Sequence, residues 1–245
     1  MKSQLSSKTL AQIVNENHKA AQVFEKYGLD FCCKGKRSLQ MACQERDLPV
    51  ETIAGELDLT LSESESLFAD YNQLPLSTLA DHIVSTHHEY TKRELPQIFH
   101  YLQKVASKHG DRHNELYTIL QKFSELKEEM EMHMQKEEQI LFPRIKELEN
   151  AIENNQRSAI TIQIPIAVME DEHEHAGNLL GAIRDLSNNY NPPADACTTY
   201  RLSFAALRAF EEDLHQHIHL ENNILFPRAI KLSEPGQDCQ CCVIK

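Results

Sequence analysis

Residues 133–144 read HMQKEEQILFPR and residues 217–228 read HIHLENNILFPR, an internal repeat at an offset of 84 positions. A repeat of this kind constrains the fold before any local propensity does, because both copies must be built as the same structural unit. Upstream of each copy stands another histidine: His88 lies 45 positions before His133, and His173 lies 44 before His217. The span 78–232 therefore reads as two similar halves.

Seven Gly, nine Pro, no Trp and long stretches rich in Leu, Glu, Lys, Gln and Ala favour helix over strand, so the chain is expected to be all-α. Each half has room for two helices, over about 78–108 and 111–148 in the first and 161–188 and 198–232 in the second. That predicts a four-helix bundle, with HGDR at 109–112 and SNNYNPPADA at 187–196 as turns. Pro96, Pro143 and Pro227 fall inside helical patterns, where a missing N–H and the ring clash predict bends. Ser77 or Thr78 is the expected cap of the first bundle helix. Residues 1–73 read as a small separate helical domain, with Gly28 ending one helix and NQLPLST at 72–78 as a linker. The tail 233–245, SEPGQDCQCCVIK, is expected to be a loosely attached thiol cluster through Cys239, Cys241 and Cys242.

A chain of 245 residues, 41% hydrophobic, can bury a real core. Its net charge of −12 opposes the phosphate neutralisation that drives nucleic-acid binding, and it disfavours anionic membranes as well. No apolar run approaches the roughly 20 residues that span a bilayer. The start MKSQLSSKTL lacks a signal-peptide core, so a cytoplasmic location is expected. Seven cysteines, an odd number, then read as reduced thiols or ligands rather than as a disulfide framework.

Thirteen histidines raise the question of metal binding. On a helix, His133 and Glu137 share a face, as do His217 and Glu221. With His88 and His173 they make four imidazoles and two carboxylates, a set too large for one tetrahedral zinc. Two bridging glutamates with two histidines per metal suit a dinuclear centre, and the mixed ligands fit non-haem iron, with manganese the other choice. His82 and His87 compete with His88, His175 with His173, and His215 and His219 with His217; alignment of the repeat selects the set named. Glu129, Glu172 and Asp213 are candidates for accessory acids beside the metal, and Leu141, Phe142, Leu225 and Phe226 for its apolar enclosure. His109 and His113 are expected to be exposed at the turn, with His109 retained as a further accessory candidate. Cys43 and Cys197 are expected to be structural.

The ligand pattern His88, His133 to Glu137, His173, His217 to Glu221 resembles that of hemerythrin-like domains. Together with YGLDFCCKGKRSL at 27–39, MEDEHEHAG at 169–177 and PPADACTTY at 192–200, it resembles the repair-of-iron-centres family across about residues 5–232. That resemblance implies a bundle holding two iron ions per chain, with the four histidines terminal and Glu137 and Glu221 bridging. It also implies a function in restoring iron–sulfur clusters damaged by nitric oxide or peroxide, so the expected partners are damaged iron–sulfur proteins. Iron donation is favoured over turnover. The alternatives are a di-iron enzyme that reduces nitric oxide and a sensor that binds oxygen or nitric oxide. The expected oligomer is a homodimer. Cys32 and Cys33, flanked by Lys34, Lys36 and Arg37, read as an exchange-active or iron-handling thiol pair whose thiolates the positive charge would favour.

Overall fold

The computed structural model describes residues 2–62, 71–154, 156 and 160–234, and among them every regular element is helical. The tail cysteines Cys239, Cys241 and Cys242 lie outside the described residues.

Five short helices form the N-terminal unit: α1 (Lys2–Ser7), α2 (Leu10–Glu16), α3 (Ala20–Lys26), α4 (Leu39–Gln44) and α5 (Val50–Ser62). Thr9 starts α2 with a capping box, its hydroxyl accepting from Gln12 N–H while the Gln12 side chain accepts from Thr9 N–H. Gly28, at φ 63°, takes the left-handed conformation that ends α3 and lets Leu29 N–H reach the Phe24 carbonyl.

Four long rods follow. The first is α6 (Leu76–Ile83), a π-helical turn at Val84–His88, and α7 (Glu89–His109). The second is α8 (Glu115–Lys136), a π-turn at Glu137–Leu141, and α9 (Phe142–Glu153). The third is α10 (Gln163–Leu186), unbroken; the fourth is α11 (Thr198–Leu220), a π-turn at Glu221–Leu225, and α12 (Phe226–Ser233). Helix α7 packs on α8 and α11, and α8 on α10.

The chain stays helical across all three interior prolines. Pro143 and Pro227 stand at the start of α9 and α12, directly after π-turns, where the α-ladder has already been interrupted and a missing N–H costs little. Pro96 sits within an uninterrupted α7. The cap of the first rod is not Ser77 or Thr78: the backbone N–H groups of Leu76 and Ser77 donate to the Glu149 carboxylate at 2.6 and 2.9 Å. A carboxylate reaching across from α9 satisfies two of the orphan donors at once and complements the helix dipole.

Two apolar clusters fill the interior. One, including Leu76, Leu79, Ile145, Ile166 and Phe226, lies at the end of the bundle formed by α6, α9 and α12. The other runs from Leu95, Phe123, Leu180 and Phe210 continuously into Phe24, Phe31 and Leu39, so the N-terminal unit shares its core with the bundle. The residues between these clusters in all four rods are buried but polar, and they form the candidate centre.

Candidate metal centre

The six residues selected by the repeat converge in that polar layer, each with at most 2% exposure. Around one point stand His88, His217, Glu137 and Glu221; around another stand His133, His173 and the same two glutamates. The Nε2 atoms of His133 and His173 are 2.9 Å apart and those of His88 and His217 are 3.2 Å apart. Two nitrogens held at right angles by one ion, each about 2.1 Å from it, would stand about 3.0 Å apart. Glu137 Oε2 lies 3.2 Å from His133 Nε2 and 3.4 Å from His88 Nε2, while Glu221 lies 3.1 Å from both His173 and His217. Both carboxylates thus reach both imidazole pairs.

Burying two carboxylates is costly unless they are paired and hydrogen-bonded, yet both oxygens of Glu137 and of Glu221 have no hydrogen-bond partner. Burial works against ionisation of Glu137, as does Glu221, but His133 and His88 hold it below the usual carboxylate range. Burial likewise opposes ionisation of Glu221, which His217 and His173 hold well below that range. Burial disfavours charge on His133, but Glu137, Glu172 and Glu221 outweigh it and push the ring up to about 10. His88 is raised against its burial by Glu137, Glu221 and Glu138, whereas burial prevails at His217 and lowers it. The two carboxylates demand positive charge, from ring protons or from metal ions, and the donor set fits two octahedral-preferring ions such as iron.

The outer nitrogens are also engaged. His133 Nδ1–H donates to Glu172 Oε2 at 2.9 Å, His88 Nδ1–H to Glu138 Oε1 at 2.8 Å, and His173 Nδ1–H to Asn222 Oδ1 at 2.9 Å. Each bond leaves the Nε2 lone pair facing the centre. Lys136 and Lys92 pair with Glu172 and Glu138, completing two matching lysine–carboxylate–imidazole chains. His217 Nδ1 is buried with no partner. Phe142 stacks on His88 at 5.8 Å and Phe226 on His173 at 6.1 Å, so the repeated LFPR segments wall the centre with apolar rings.

Of the accessory candidates, only Glu172 touches one of the six residues. Glu129 faces outward to His175, 3.3 Å away, because Met130 takes the buried position on α8. Asp213 accepts from His87 Nδ1 at 3.0 Å, and the His87 ring stacks 5.8 Å from His217. His109 is 21 residues along α7 from His88, about 31 Å at the helical rise, and is buried rather than exposed. Glu138 and Asn222 were not anticipated, although each directly follows one of the buried glutamates. Of the competing histidines, His82 packs on Tyr71, His175 is exposed, and His215 and His219 pack on Phe31.

The N-terminal unit seats its thiols against this layer. Cys33 Sγ is 3.6 Å from the His173 carbonyl oxygen, Cys32 and Cys33 Sγ are 3.8 Å apart, and Asp30 completes a group of three donors. Asn223 holds the loop by donating to the Phe31 and Cys32 carbonyls at 3.3 and 3.0 Å. The environment of Cys32 works against the expected thiolate: the Cys33 thiol beside it, its burial and Asp30 push it well above the ordinary thiol range. Two of the flanking cations are paired elsewhere, Arg37 with Glu45 and Lys36 with Glu170.

Fold and site together define a helical bundle built around a buried imidazole–carboxylate metal centre. Residues 79–229 match the hemerythrin HHE cation binding domain, and residues 6–60 match a domain of unknown function, DUF542. The iron-sulfur cluster repair protein YtfE of Escherichia coli O8 (strain IAI1) is 38% identical over 212 residues, covering 86% of this chain and 91% of that protein. The protein of the same name from Shigella boydii serotype 4 (strain Sb227) matches to the same extent. The chain belongs to the hemerythrin HHE family and joins that domain to a DUF542 domain. Among the described residues no helix is long and apolar enough to cross a membrane.

Proposed function

We propose that this chain holds two irons and repairs iron–sulfur clusters damaged by nitrosative or oxidative stress, by supplying iron to the damaged protein. The observation that carries the reading is the pair of buried glutamates, none of their four oxygens hydrogen-bonded, set between two pairs of imidazole nitrogens. The name borne by relatives 38% identical over most of the chain supports the repair role. In this reading His88 and His217 hold one iron, His133 and His173 the other, and Glu137 and Glu221 bridge them.

Bound iron supplies a ferrous–ferric couple and an exchangeable ion. The side chains set how firmly it is held. Nitrogen and oxygen donors bind ferrous iron, low in the affinity order, less selectively than the thiolates of a cluster site, which suits this site to releasing an iron. Glu172, Glu138 and Asn222 orient the rings, while Phe142 and Phe226 cover two of them. Cys33, whose Sγ lies 3.6 Å from the His173 carbonyl oxygen, is in this reading the residue that, with Asp30 and Cys32 beside it, handles iron on its way out.

The test is to purify the protein anaerobically and mix it with a nitric oxide-damaged cluster enzyme in the absence of other iron. Recovery of the enzyme in step with loss of iron from this protein is expected. Retention of its iron while nitric oxide is consumed would replace donation with nitric oxide reduction.

A further inference from the structure

The end of the bundle remote from the candidate metal centre carries a second cluster. Cys197 is exposed, and His109, 9% exposed, points Nε2 at its sulfur across 3.2 Å. The expectation of a solvent-exposed His109 is thus corrected: the ring is buried against the thiol. Cys197 is the N-cap residue just before α11, a helix of 23 residues, and its side chain makes no capping bond, so the sulfur lies at the positive end of a helix dipole.

The imidazole is held for this contact. Its ring packs on Tyr200 at 5.5 Å, and the turn that carries it is fastened by Arg112 and His113, each 3.0 Å from Asp195, two residues before the thiol. His109 Nδ1 is buried without a hydrogen-bond partner. A buried histidine serving only to tie two loops together would be expected to satisfy both nitrogens, and an orphaned one calls for an explanation, of which a catalytic role is one.

We propose that Cys197 and His109 form a reactive thiol–imidazole pair, and that Cys197 is the chain's site of oxidation by small peroxides. The exposed sulfur accepts a small electrophile that needs no recognition cleft. As the sulfur attacks one peroxide oxygen, His109 Nε2 takes the thiol proton. The O–O bond breaks, the departing hydroxide takes that proton back as water, and the sulfur is left as a sulfenic acid. Cysteine is oxidised by two electrons, hydrogen peroxide is reduced to water, and His109 ends as it began.

The full-length protein is treated with limiting iodoacetamide at pH 7, an electrophile indifferent to iron, and alkylation of each cysteine is counted by peptide mass spectrometry. A synthetic peptide of residues 192–200 supplies the unassisted rate. Cys197 is expected to react at least tenfold faster than the peptide and faster than Cys43, with His109→Gln returning it to the peptide rate. Low hydrogen peroxide with dimedone should then trap sulfenic acid at Cys197 first. A wild-type rate equal to the peptide's overturns the proposal whether or not the variant folds. So does an unchanged rate in a His109→Gln protein of native helicity, or first trapping at another cysteine.

Discussion

Glu172 Oε2 accepts from His133 Nδ1 at 2.9 Å while its other oxygen pairs with Lys136, so one surface carboxylate ties an α10 side chain to an imidazole and a lysine of α8. The bond from His133, with that from Lys136, holds the Glu172 carboxyl down to about 2. It also fixes the tautomer that turns Nε2 inward. Glu172→Ala should therefore weaken iron at the His133–His173 end by about 10- to 100-fold, the usual cost of losing an orienting carboxylate. Competition against a graded series of ferrous chelators reads this directly. An unchanged affinity would mean that the ring is positioned without it.

Gly35 stands where a Cβ would lie 2.2 Å from the Phe31 carbonyl oxygen, in the loop that presents Cys32 and Cys33. Backbone cannot yield as a flexible side chain does. Gly35→Ala is expected to destabilise the protein by on the order of 2 kcal/mol. It should also raise the labelling rate of Cys32, whose burial depends on that loop. Urea titration and thiol-labelling rates check both.

Glu25 is pushed up to about 8 by its burial, then by Glu212 and Glu211. Its ordinary value is 4.5, so the folded state keeps a proton that the unfolded chain gives up. The contribution to stability is fully present below pH 4.5 and is lost as pH rises toward 8. Glu25→Gln, which keeps the shape without ionising, should be more stable than the parent by on the order of 2 kcal/mol at pH 7 after allowance for partial exposure, and equal to it near pH 4. Thermal melts of both proteins across that range should converge on the acid side. Parallel curves would contradict the assignment.

The helical class, the four rods and the six converging residues are legible in the sequence because each follows from periodicity or from the repeat. Local spacing alone does not separate His88 from His87 or His217 from His219; the offset between the halves does. The π-turns are less legible, since the added residue in each leaves no mark in an apolar pattern only one turn long. The trace of the second and third is Pro143 and Pro227 just beyond them, read as sites of bending. The same turns present Glu138 and Asn222, which follow Glu137 and Glu221 in sequence, to imidazoles on neighbouring rods. Glu129 and Asp213 do not touch the six residues because sharing a face at i−4 places them a full turn from the centre, where other partners hold them. The Cys32 environment is not legible in the sequence because the charges of Lys36 and Arg37 are visible there, while their partners Glu170 and Glu45 are not.

Iron content per chain tests the central claim most directly. Protein purified anaerobically, and the Glu137→Leu/Glu221→Leu double variant beside it, would be assayed for iron against protein concentration. Two irons per chain in the parent and loss of both in a folded double variant are predicted. A variant that keeps two irons, or a parent that never exceeds one, would contradict a di-iron centre bridged by these glutamates.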